Sequence, residues 1–229
     1  MVALFAFVLA AGSAAAQPRP PVLVELFTAQ GCGPCAGANT HVDRLAERAD
    51  VLALTFSVDY WDYLGWTDTF ARPQFTERQR AYVTRLKLRE PYTPQVVIDG
   101  REEAQARPGA DLEPLIRAAR ATRPSPPDMA FIGARRVDVG SGRAPRGGAD
   151  VWLVRYDPRA VEVEVRAGDN RGETIIQRNV VHRIERLGVW RGRPQAYRLP
   201  AARDDGLRAA VIVQHPRGGR VIGVAVPKA

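Results

Sequence analysis

Both cysteines of this 229-residue chain stand within one five-residue stretch, Gly31-Cys32-Gly33-Pro34-Cys35. The stretch separates the β-type run Val22-Leu23-Val24-Glu25-Leu26-Phe27 from a helical pattern whose apolar stripe is Ala38, Val42, Leu45 and Ala49. Those positions recur on one helical face, so the helix is expected to pack on a sheet. Val51 to Val58 is a second, almost continuously apolar run, as a strand covered on both faces requires. Strand, helix and strand in so short a span make a βαβ unit with parallel strands.

Beyond an aromatic stretch, Pro73 opens another helix with Phe75, Tyr82, Val83 and Leu86 on its apolar face, and Pro91 ends it. Val96-Val97-Ile98-Asp99-Gly100 reads as a strand entering a hairpin, and Asp111 to Arg120 as a closing helix. After Thr122-Arg123-Pro124-Ser125-Pro126-Pro127 the helical period fades and alternation takes over, in Val151–Tyr156, Val161–Val165, Ala209–Gln214 and Val221–Val226. The expected fold class is an α/β domain over residues 17–122, a linker at 123–127, and an all-β, sandwich-like domain over 128–229.

Residues 1–16 carry no charged side chain, run apolar from Val2 to Ala11 and end in Ala14-Ala15-Ala16, which is read as a signal peptide even though a positive n-region is missing. The run is shorter than the roughly 20 residues that span a bilayer. The mature chain is therefore expected to be periplasmic or secreted, with no transmembrane segment. Net charge divides unevenly: residues 1–120 hold 13 Lys+Arg against 14 Asp+Glu, and residues 121–229 hold 20 against 11. The arginines of the basic half are scattered without a recognition motif, so nucleic acid is not an expected partner.

Thiol–disulfide exchange needs an accessible thiolate and a second thiol near enough to resolve the mixed disulfide, which two intervening residues at a helix start provide. The helix N-terminus favours the thiolate of the first cysteine. Cys32 is the expected nucleophile and Cys35 the resolver. A passive disulfide closing so small a loop would remove little unfolded-chain entropy. Two cysteines exclude a four-cysteine zinc site.

The Cys-Gly-Pro-Cys motif, with Tyr92-Thr93-Pro94 ahead of the strand Val96–Ile98, resembles the thioredoxin superfamily over roughly residues 21–121. The resemblance implies a cis Pro94 facing the cysteines, with Thr93, Gly33 and Pro34 at the substrate surface. Two positions depart from it: Gly31 stands where thioredoxin has tryptophan, and Leu26 where it has a buried aspartate. Glu25, one residue further back, could supply that proton relay or could face elsewhere, because a one-residue slip reverses a strand's faces.

A wider set of residues is similar to an exported bacterial thioredoxin-like family catalogued as a domain of unknown function. It comprises Val24-Glu25-Leu26-Phe27-Thr28, Gln30-Gly31-Cys32, Val58-Asp59-Tyr60-Trp61-Asp62-Tyr63-Leu64-Gly65-Trp66, Gln79-Arg80-Ala81-Tyr82 and Tyr92-Thr93-Pro94-Gln95. The resemblance extends into the second half at Asn179-Val180-Val181 and Leu187-Gly188-Val189-Trp190.

Tyr60, Trp61, Tyr63, Trp66 and Phe70 are five of the 17 aromatics, within one loop that emerges on the same sheet edge as Cys32. They either wall a substrate groove, with Tyr60, Trp61 and Trp66 as binding residues, or plug an interface with the second half. His41, His182 and His215 are weaker signals. The leading expectation is an exported thiol–disulfide oxidoreductase acting on protein thiols or disulfides with an unidentified redox partner and no cofactor. The alternative is a Cu(I) carrier using the cysteine pair, since soft thiolates select that ion, or a non-catalytic interaction module.

Overall fold

In the computed structural model the described residues are 19–107, 110–202 and 206–227; the expected signal peptide lies outside them. The first half runs β1 (Val22–Thr28), α1 (Cys35–Ala46), β2 (Val51–Ser57), α2 (Pro73–Leu86), β3 (Gln95–Ile98), β4 (Glu102–Gln105) and α3 (Glu113–Thr122). β1 and β2 are parallel, from Val22↔Val51 to Thr28↔Ser57, as a helical crossover demands. β3 lies antiparallel on the other side of β1 and carries β4. This is the expected α/β thioredoxin-like arrangement.

The second half holds β5 (Met129–Ile132), β6 (Arg136–Val139), β7 (Ala149–Asp157), β8 (Val161–Glu164), β9 (Thr174–Gln177), β10 (Val180–Trp190), β11 (Gln195–Arg198), β12 (Arg208–Gln214) and β13 (Val221–Ala225). Its long strands extend the same sheet, whose order is β13-β12-β7-β10-β2-β1-β3-β4. A smaller sheet, β11-β6-β5, packs on one face of the added strands, and β8-β9 is a separate ribbon. The β-rich half is thus a sandwich built outward from the thioredoxin-like sheet. Its strands β5, β6 and β9–β11 escape a periodicity reading because they are short, bulged or polar on both faces. β10, for instance, shifts register twice against β7.

Side-chain alternation sorts the core. Val22, Val24 and Leu26 face α1 and α3 through Ala38, Val42, Ile116 and Ala119. Leu23 and Phe27 face the opposite way, into a cluster containing both cysteines, Phe56, Phe75 and Tyr82, and continuing into Tyr156, Val181 and Ile212 of the second half. The other face of the added strands, Val151, Leu153, Val211 and Val213, packs on Val137, Val139 and Tyr197 of the small sheet.

The halves meet along β2. Thr55 N–H donates to Asn179 O at 3.0 Å, Thr55 Oγ1 to Arg178 O at 2.8 Å, and Asn179 Nδ2 to Ala53 O at 2.7 Å. Asn179 has φ +50°, a left-handed conformation that asparagine tolerates better than most residues. The proline-rich connection is not a free tether: Arg123 pairs with buried Asp99 and donates to the carbonyls of Pro20 and Pro21.

One sheet and one shared cluster predict a single unfolding transition. Far-UV circular dichroism should coincide with the fluorescence of Trp61, Trp66, Trp152 and Trp190, which sample both halves. Asn179→Ala, which loses the bond to Ala53 and places alanine at positive φ, should cost about 1–3 kcal/mol in urea unfolding.

Candidate functional site

The motif sits where β1 leaves the sheet. Cys32 N–H donates to Ala29 O and Cys35 N–H to Cys32 O, a turn that delivers the chain into α1 at Cys35, with Pro34 as the preceding cap. Cys32 and Cys35 form a disulfide with their Cα atoms 5.4 Å apart. Gly33 is half-buried and Pro34 exposed at the outer surface of the turn.

Across from the disulfide, the Thr93–Pro94 peptide bond is cis. Thr93 Oγ1 lies 3.3 Å from Cys32 Sγ and accepts a 2.8 Å hydrogen bond from Trp61 Nε1. The threonine thereby joins the aromatic loop to the sulfur. Gln79 of α2 fastens the same segment through Tyr92 O at 2.7 Å and Gln95 Oε1 at 3.0 Å.

The aromatic loop reaches the motif at a second point. Trp66 Nε1 donates to Gln30 Oε1 at 3.0 Å, and Thr69 donates to the same oxygen. Gln30 N–H in turn donates to Asp68 Oδ2 at 2.7 Å. Tyr60 and Trp61 pack partly buried against the cysteine cluster, whereas Tyr63 is 79% exposed. The loop therefore supports the motif from beneath and presents one bare ring to solvent.

A contribution absent from the sequence reading comes from residues 165–173, the turn between β8 and β9. Asn170 Nδ2 donates both to Gln30 O at 2.8 Å and to Cys32 O at 2.7 Å, and Asp169 N–H donates to Gly31 O at 3.2 Å. Gly168, at φ +79°, lies so close that a Cβ there would stand 3.2 Å from both Cα and O of Gly31. Gln177 Oε1 accepts from Gln30 Nε2 at 3.3 Å, and Arg178 pairs with Asp43 of α1. Cys32 is fully buried. In this oxidised arrangement the sulfur is enclosed, and a loop far along the sequence lies on the backbone to either side of it. No local pattern in Gly168-Asp169-Asn170 announces a partner some 140 residues earlier.

Glu25 shares the inward face of β1 with Leu23 and Phe27, yet its carboxylate is taken. Arg78 Nε lies 2.6 Å from Oε1, and the Tyr82 hydroxyl donates to Oε2. Arg78 also donates to Tyr82 Oη at 2.9 Å and to Gln214 Oε1 at 3.2 Å, and its guanidinium lies 5.7 Å from the Phe56 ring centroid. These partners tie α2 to β1 and β12. The carboxylate is thereby held by an arginine and a tyrosine that pack the helix against the sheet.

Asp68 is the buried acid nearest the motif in bonding terms. Besides Gln30 N–H it accepts from Phe70 N–H at 2.9 Å and Ala71 N–H at 3.2 Å, but burial outweighs these bonds and raises its pKa above the ordinary 3.8. Among the described residues no group of three or more His, Cys, Asp or Glu is placed to hold a metal ion.

Two expectations follow. Arg78→Met, which strands the Glu25 carboxylate in the core, should cost about 3–5 kcal/mol in urea denaturation. For Asp68, a folded-state pKa above the unfolded value means tighter proton binding when folded. Its contribution is greatest below pH 3.8 and is lost as pH rises through the elevated value. Asp68→Asn should remove this component, so that the stability of the parent relative to the variant falls as the pH rises above 3.8.

Comparison with known proteins extends this picture. The chain is similar over 93% of its length to the crystal structure of protein AGR_C_4864 from Agrobacterium tumefaciens, with 30% identity, 96% of that chain covered and a TM-score of 0.76. HBP35 of Porphyromonas gingivalis shares the fold at 14% identity and a TM-score of 0.59, over 92% of this chain and 78% of that one. No curated protein matches. Residues 23–214 match the family described as protein of unknown function (DUF1223), and the chain belongs to that family.

Proposed function

We propose that the protein is an exported thiol–disulfide oxidoreductase acting on protein thiols or disulfides. The observation that carries this reading is the Cys32–Cys35 disulfide at the head of α1, facing Thr93, whose hydroxyl lies 3.3 Å from Cys32 Sγ. The second cysteine is fixed in the first helical turn and the first lies in the turn just before it, near enough to resolve a mixed disulfide.

In the reducing direction the Cys32 thiolate attacks one sulfur of a substrate disulfide, forming a mixed disulfide and expelling the other sulfur as a thiolate. The Cys35 thiolate then attacks Cys32 Sγ, closing the pair and releasing the second substrate thiolate. Two electrons pass to the substrate, and a dithiol partner must return them. In the oxidising direction the same steps run backward and a disulfide-bearing partner accepts the electrons. Thr93 stands where it can donate a hydrogen bond to the Cys32 thiolate. The turn residues Gly33 and Pro34, together with Tyr60, Trp61 and Trp66, frame the substrate approach. Export is supported by the leader pattern at residues 1–16, and no described helix is long and apolar enough to cross a membrane.

Equilibration of the leaderless protein in defined thiol–disulfide buffers should show reversible two-electron exchange, and Cys35→Ser should accumulate a mixed disulfide at Cys32 with a model protein disulfide. Cys32→Ser should abolish both. Absence of exchange, with Cu(I) retained by the reduced pair and lost in Cys35→Ser, would replace the redox reading by metal carriage.

A further inference from the structure

The proposed reaction needs Cys32 Sγ to be reached by another sulfur, yet in the oxidised protein Cys32 has no exposed surface. The loop 168–172 lies on the backbone of the motif, closed at its base by Val165 N–H to Glu173 O at 3.0 Å and Gly172 N–H to Val165 O at 2.8 Å. Its hold on the motif is specific: the three carbonyls of Gln30, Gly31 and Cys32 are engaged by Asn170 Nδ2 and Asp169 N–H. Polar contacts of this kind break and re-form at small cost, since water satisfies both sides when they part. The apolar cluster beneath the disulfide need not open with them.

We propose that Asn170 and the 168–172 loop determine which reactants reach Cys32, with an extended protein segment displacing the loop and taking over the carbonyls of Gln30, Gly31 and Cys32. The inference rests on the exchange chemistry proposed above. It names the class of substrate: a flexible segment bearing its disulfide or thiol beside free main-chain N–H or side-chain amide donors. A disulfide recessed in a rigid surface cannot replace the loop. Asn170 acts through the motif's backbone and is a positioning residue, distinct from the cysteines that exchange.

The test is the rate at which dithiothreitol reduces the Cys32–Cys35 disulfide of the full mature chain. One dithiothreitol thiolate attacks Cys32 Sγ and releases Cys35 as thiolate; its second thiolate then frees Cys32 and closes the cyclic disulfide, so two electrons enter the protein. Asn170→Ala removes both side-chain bonds. Gly168→Ala perturbs the loop independently, because the added Cβ meets Gly31 at 3.2 Å and φ +79° strains alanine. Each folded variant should be reduced at least about ten-fold faster than the parent. The parent's rate should level off at high dithiothreitol, at the loop's opening rate, whereas the variants stay linear. An unchanged rate in either folded variant overturns the proposal. Should neither variant fold, a parent rate linear in dithiothreitol and equal to that of an oxidised peptide spanning residues 28–38 overturns it, and a saturating, slower rate supports it. A pair that no form of the protein lets dithiothreitol reduce would instead overturn the redox function itself.

Discussion

The outer edge of β2 is the constraint on which the arrangement depends. Left bare, it would present a row of unpaired backbone groups in an apolar strand, a state folded proteins avoid. Here β10 takes that edge through Val180↔Thr55, and Asn179 bends the chain into position at positive φ. The segment entering β10 is thereby pinned beside α1 and the motif, with Gln177 against Gln30 and Arg178 against Asp43. The β8–β9 turn that precedes them lies on the motif through Asp169 and Asn170.

The buried Glu25–Arg78 pair shows a similar economy of position. A guanidinium and a carboxylate taken from water together remain costly unless their remaining donors and acceptors are met. Tyr82 and Gln214 meet them, and the rings of Phe56, Tyr82 and Trp152 flank the cation. Because Gln214 belongs to β12, the polar core of the thioredoxin-like half is completed by a side chain from the β-rich half. The two halves thus share electrostatics as well as apolar surface. A division at residues 123–127 describes a change in sequence pattern more than a gap in the structure.

The environment of the cysteines follows from the same integration. Thr93 and Trp61 approach the sulfur from one side, Gln30 is held by Trp66, Thr69 and Asp68 from below, and Asn170 closes the top. The aromatic loop thus serves two ends at once: its indole N–H groups anchor the motif and the loop opposite, while Tyr63 remains in solvent. A thiolate formed at Cys32 would meet hydroxyl and backbone dipoles in a site from which water is largely excluded, where such interactions are stronger than in solution.

The sequence by itself determined the cysteine pair, the βαβ unit around it and the segment opposite, because each is local: two cysteines three residues apart, apolar runs with clear periods, and a threonine–proline step ahead of a strand. It also located the strands β7, β8, β12 and β13, whose apolar runs or alternation stand out. It could not place Glu25, since strand alternation gives two faces and only the packing of α2 says that Arg78 waits on one of them. Nor could it show that β10 joins β2 or that Asn170 reaches Cys32, because strand pairing and loop closure over more than a hundred residues depend on which edges and carbonyls remain unsatisfied after the rest has folded. Those needs exist only in three dimensions, and the tertiary structure alone decided how they were met.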